Sequence, residues 1–113
     1  MHEYSIVQAL IDRVAAEARA RGAVAVYHLE VSIGELSGVE CELLATAFET
    51  FRAGTVCAAA ELTISRVPVR WRCPRCAAPP AAGGPLRCPA CGAGLRLEGG
   101  DEILLERIEM EVA

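Results

Sequence analysis

Two cysteine pairs constrain this chain more than any other feature. "CPRC" at 73–76 and "CPAC" at 88–91 are separated by 11 residues. A Cys-x-x-Cys turn points two thiolates at one ion, and two such turns supply four ligands. Soft thiolates in a tetrahedral set favour zinc(II) and leave no open coordination position, so the site should be structural. Gly92 suits the tight turn after the second pair. A redox dithiol, which needs only one pair, or a disulfide is the alternative use of these cysteines. Beyond Trp71, Leu86, Leu95 and Leu97 the stretch 70–98 has few large apolar residues. Metal on Cys73, Cys76, Cys88 and Cys91 would therefore supply most of its folding energy. Cys41 and Cys57 lie outside the quartet and read as small, buried hydrophobes.

The rest of the chain carries regular hydrophobic periods. Ile6, Val7, Leu10, Ile11, Val14 and Ala18 recur at spacings of three and four, predicting a helix that ends by Gly22, after Arg19 and Arg21. Tyr27, Leu29, Val31 and Ile33 alternate with His28, Glu30 and Ser32, predicting a strand with one buried face. "SGVE" at 37–40 matches a capping box, Ser37 as N-cap and Glu40 at the third helical position. It would open a second helix with Leu43, Leu44, Ala47, Phe48 and Phe51 inward, ending at Gly54. Leu62 and Ile64 mark a second strand running towards Val67 and Val69, with Pro68 suggesting an edge or an exit. Leu104, Ile108, Met110 and Val112 share one parity against Arg107, Glu109 and Glu111, giving a third.

The expected fold is α+β: a small three-stranded sheet with two helices on one face and an inserted zinc ribbon. The body would comprise 1–69 and 99–113, and the ribbon 70–98, inserted between the last two strands, which would pair. At 113 residues this is one domain, or one domain with a satellite too small to hold itself together by burial. Glu3, Asp12, Arg13, Glu17, Arg19 and Arg21 are spread through the first 21 residues, which is unlike a signal peptide. No run approaches the roughly 18 apolar residues of a membrane span. A cytoplasmic protein is expected, where metal ligation is the commoner use of such cysteines.

The opening "MHEYS" places a histidine beside the terminal amine. His2 Nδ1 and its own amide nitrogen can close one chelate ring, and that amide with the Met1 amine closes the next. Deprotonated amides suit a square-planar d⁸ ion, which points to nickel(II), with copper(II) the competitor. Each residue also has an ordinary reading. His2 could be a solvated side chain, Glu3 a negative charge at a helix start, Glu40 a capping-box partner, and His28 a surface histidine.

With these segments in view, the sequence resembles the HypA/HybF family of hydrogenase nickel-incorporation proteins, nearly end to end. The likeness runs through "MHEYSIVQALI", "VSIGELSGVE", "AFETF", the pairs "CPRC" and "CPAC", and "GDEILLERIEMEV". It implies a metallochaperone that holds nickel and helps deliver it to the large subunit of [NiFe]-hydrogenase, usually with a GTPase partner, HypB. In some organisms relatives also serve urease. Nickel would sit at Met1, His2 and Glu3, using the His2 ring and backbone nitrogens around His2 and Glu3, and zinc on Cys73, Cys76, Cys88 and Cys91. Some members bring a carboxylate from the start of the second helix, where this chain has Glu40 in place of the shorter aspartate.

A rival class is a zinc-ribbon module for nucleic acid. Arg66, Arg70, Arg72, Arg75, Arg87 and Arg96 are unopposed by any acid between 66 and 97. Against it, the net charge is −4, stacking aromatics are scarce, and a zinc tetrathiolate is itself anionic. The arginines read more simply as a solvated or partner-docking surface, and no nucleic acid is expected. Catalysis is not expected either, since no nucleophile–base grouping, phosphate-cradling glycine loop or open-site zinc ligand set is visible. An exposed edge strand, or the ribbon, could support a homodimer by strand exchange.

Overall fold

The computed structural model describes residues 3–76 and 86–113. The elements run α1 (Glu3–Ala20), β1 (Ala23–Gly34), α2 (Cys41–Phe51), β2 (Glu61–Val67), β3 (Arg70–Arg72), β4 (Arg96–Gly99) and β5 (Ile103–Val112). The predicted order of helix, strand, helix, strand, insert and strand is the observed one.

Strands β2, β1 and β5 form one sheet in that order. β1 runs parallel to β2 and antiparallel to β5. A parallel neighbour needs a crossover connection, and α2 supplies it. The sequence suggested that the strands flanking the insert pair with each other; instead both pair with β1. β2 is an edge strand, and Pro68, which has no N–H to give to a ladder, follows its last residue.

Both helices pack on one face of this sheet. Val7, Ile11, Val14 and Ala18 of α1 and Leu44, Ala47 and Phe48 of α2 are buried against Val26, Leu29, Val31 and Ile33 of β1. Each fully buried large side chain contributes about 1.5–3 kcal/mol. The opposite face is polar: Tyr27 donates to Glu111 at 3.0 Å, Ser32 to Glu106 at 2.8 Å, and His28 bridges Glu109 and Thr63, both at 2.6 Å.

Five inward assignments are corrected: Tyr27, Leu43, Phe51, Leu104 and Val112. Tyr27 is exposed and Val26 is buried, because the β1–β5 register slips between Val26 and His28. An extra residue at such a bulge turns the side-chain parity over. A second slip, between Glu30 and Val31, does the same to β5: Ile103 and Leu105 pack on the core while Leu104 is exposed, and Val112 is exposed at the strand's end. On α2, Leu43 and Phe51 are also exposed, and Phe51 meets the Tyr4 ring edge-on at a centroid distance of 5.1 Å.

The insert carries its own two-stranded sheet, β3 paired antiparallel with β4. The molecule measures 56 × 27 × 17 Å and has a radius of gyration of 18.1 Å. A compact domain of this length would have about 13 Å. Among the described residues, no helix is long and apolar enough to cross a membrane.

Candidate metal centre

The four predicted cysteines meet at one point. Their Sγ atoms all lie within 4.8 Å of one another, with Cys73 and Cys91 3.5 Å apart. Tetrahedral zinc with 2.3 Å bonds would space its sulfurs about 3.8 Å apart, so the donor set fits a metal ion such as zinc. Cys73 and Cys88 are buried, and Cys76 and Cys91 are exposed at the rim.

Each pair is shaped by its backbone. The amides of Arg75 and Cys76 donate to Cys73 Sγ at 3.4 and 3.3 Å. In the second pair, Gly92 N–H donates to Cys88 O and Cys88 N–H to Ala93 O, both at 2.8 Å, with Gly92 at φ 73. That left-handed conformation suits glycine, as the sequence implied. Amide donation, first from Cys76, holds the Cys73 thiol down at about 6. The Cys76 thiol is pushed up to about 12, first by the hydrogen bond it shares with Cys91. One thiolate is thus welcomed and further negative charge is resisted, the condition that a divalent cation among the sulfurs relieves.

The remaining cysteines do not join this cluster. Cys57 is buried, and burial pushes its thiol up, as expected of a structural hydrophobe. Cys41 is half-buried as the first residue of α2. All six ribbon-side arginines are exposed. Arg72 pairs with Glu98 at 3.2 Å, and Arg87 donates to Gly92 O at 3.2 Å.

At the other predicted site, Met1 and His2 lie outside the described residues, while Glu3 opens α1. The capping box is not what starts α2. Ser37 sits in a turn and its Oγ accepts from Val39 N–H at 3.3 Å, while Glu40 itself is the N-cap, with no side-chain capping bond. The Glu40 amide instead donates to Glu3 Oε2 at 3.3 Å. A carboxylate at a helix N-terminus is favoured by the helix dipole, and here it comes from α1. Two glutamates that local pattern treated separately are thus neighbours. Beside them is a cavity of about 430 Å³, lined in part by Glu35, Glu40, Cys41 and Arg66.

Among families, the one described as "Hydrogenase/urease nickel incorporation, metallochaperone, hypA" matches residues 1–110. The hydrogenase maturation factor HypA of Shewanella oneidensis is 41% identical, across 100% of this chain and 98% of that protein. The HypA of Wolinella succinogenes is 42% identical, across 98% and 96%. The solution structure of the nickel metallochaperone HypA from Helicobacter pylori superposes with a TM-score of 0.76 at 33% identity, covering all of both chains. A second HypA solution structure gives 0.79 at 33% identity, covering 100% of this chain and 98% of that one.

Proposed function

This chain belongs to the HypA family, and from that membership we propose that it is a nickel metallochaperone of hydrogenase maturation. It carries nickel(II) at its amino terminus and zinc(II) in its ribbon. As a maturation factor it is a carrier, not an enzyme.

The observation that carries the nickel reading is the 3.3 Å hydrogen bond from the Glu40 amide to Glu3 Oε2. It seats Glu3, at the start of α1, against the Glu40 amide at the start of α2, and Met1 and His2 directly precede Glu3 in the sequence. The proposed donors are the Met1 amine, the His2 ring and backbone nitrogens around His2 and Glu3, with the Glu40 carboxylate as a further candidate. A site made from a chain end suits a carrier, because a partner can peel it away one donor at a time. Protons compete for the imidazole and the amine, so nickel is held less tightly as pH falls through the imidazole range.

For zinc, Cys73, Cys76, Cys88 and Cys91 are the proposed ligands, and the four-thiol geometry supports them. Bound zinc closes the ribbon by crosslinking its two turns. Residues 70–98 then form a unit of their own, set into the α+β body of 1–69 and 99–113. The receiving partner is the hydrogenase large subunit, with a HypB-type GTPase assisting, and the setting is the cytoplasm. The exposed arginines of the ribbon serve as a docking surface for protein partners, not for nucleic acid.

Extending the chain by a few residues ahead of Met1 tests the nickel site directly. The extension removes the terminal amine, so calorimetry should show nickel affinity weakened at least tenfold with zinc content unchanged. Equal nickel affinity with and without the extension would overturn the site.

A further inference from the structure

Three stretches of backbone cross where the body meets the ribbon: 34–36 at the end of β1, 67–69 leading out, and 99–102 leading back. They touch without room for side chains. A Cβ on Gly34 would lie 2.4 Å from Gly100 C, and one on Gly100, at φ 95, would lie 2.5 Å from Val69 Cα. The returning leg is held by backbone hydrogen bonds, with Gly34 N–H donating to Glu102 O at 2.8 Å and Leu36 N–H to Gly100 O at 2.7 Å.

The outgoing leg is held differently. The β1–β2 ladder reaches Gly34 opposite Val67, and the next residue, Pro68, has no N–H to continue it. Glu35 takes over with both its parts. Its amide donates to Val67 O at 2.9 Å, and its carboxylate Oε1 accepts from Val69 N–H at 2.8 Å. One residue later β3 begins, and β3 leads into Cys73. The same strap continues through Ser37 and Val39 to Glu40, whose amide is held by Glu3. Glu35 thus stands where a single side chain joins the body's strand end to the leg that carries the first cysteine pair.

We propose that Glu35 is a positioning residue that fixes the cysteine ribbon in one orientation against the end of the body where α1 begins, by accepting the Val69 amide hydrogen bond. Backbone bonds fix where the legs cross, and the Glu35 side chain fixes the direction in which the ribbon leaves. The orientation itself does not depend on nickel; its consequence for nickel handling rests on the function proposed above.

The test compares zinc-loaded full-length wild type, Glu35→Ala and Glu35→Gln. Amide exchange at Val69 and ¹⁵N relaxation across the ribbon are measured, with body melting and zinc content followed alongside. Loss of one exposed hydrogen bond should speed Val69 exchange roughly threefold to tenfold in Glu35→Ala. Ribbon amides should then relax independently of the body, whose melting and zinc content stay as in wild type. Glu35→Gln keeps a side-chain carbonyl acceptor and should restore most of the coupling. Unchanged exchange and relaxation in Glu35→Ala would overturn the inference. So would a glutamine variant as loose as the alanine one, or loss of the body's cooperative melting in Glu35→Ala. A freed ribbon in Glu35→Ala alongside a wild type that binds no nickel would leave Glu35 standing and sink the nickel reading alone.

Discussion

Phe48 and Cys73 are each about 1% exposed, and the two burials are made differently. Phe48 lies in a cluster drawn from both helices and from β1, where each apolar neighbour supports the others. Cys73 lies between strands of three and four residues, and among the described ribbon residues the buried apolar ones are Cys73 and Cys88 themselves. The body is held by exclusion of water from many weak contacts. The ribbon converges on four sulfurs, and a bound ion would replace the missing core. A fold of the first kind degrades by degrees, whereas one of the second kind depends on a single event.

That contrast is most strongly tested by chelation. Structural zinc contributes on the order of 10–16 kcal/mol in small zinc domains, far more than the ribbon's own packing. Removing the metal should open residues 70–98 to protease while the helical dichroism of α1 and α2 persists. Unchanged protection of 70–98 without metal would erase the distinction between the two regions. The reverse perturbation is smaller. Phe48→Ala should destabilise the body by about 3–5 kcal/mol, lowering its melting midpoint while each chain keeps its zinc. If zinc were lost in step with that midpoint, the two regions would be one cooperative unit.

How much was legible in the sequence follows the same division. The Cys-x-x-Cys pairs are local, and their spacing specified the cluster that the fold assembles. The apolar stripe of α1 was likewise readable, since Val7, Ile11, Val14 and Ala18 obey one helical period and all are buried. Strand parity was less so. Tyr27 and Leu104 keep the alternation of their neighbours, yet each lies beyond a register slip that only the β1–β5 pairing reveals. Ser37 and Glu40 have capping-box spacing, but the helix starts at Cys41 with Glu40 as its cap. The two glutamate contacts were out of reach of any local pattern. Glu3 meets Glu40 across 37 positions, and Glu35 meets Val69 across 34. Contacts of that range arise from the packing of elements, and nothing in the residues beside them announces the partner.

The proposed function gives one chain two metal sites of opposite construction: a closed thiolate site that would build a subdomain, and an open terminal site that would give its metal away. Its most direct test is a metal count on untagged protein, with nickel and zinc measured separately in wild type and in His2→Ala. Wild type should hold one nickel and one zinc per chain, and His2→Ala should lose nickel while its zinc stays at one. Stoichiometric nickel retained in His2→Ala, or zinc lost along with nickel, would contradict the account.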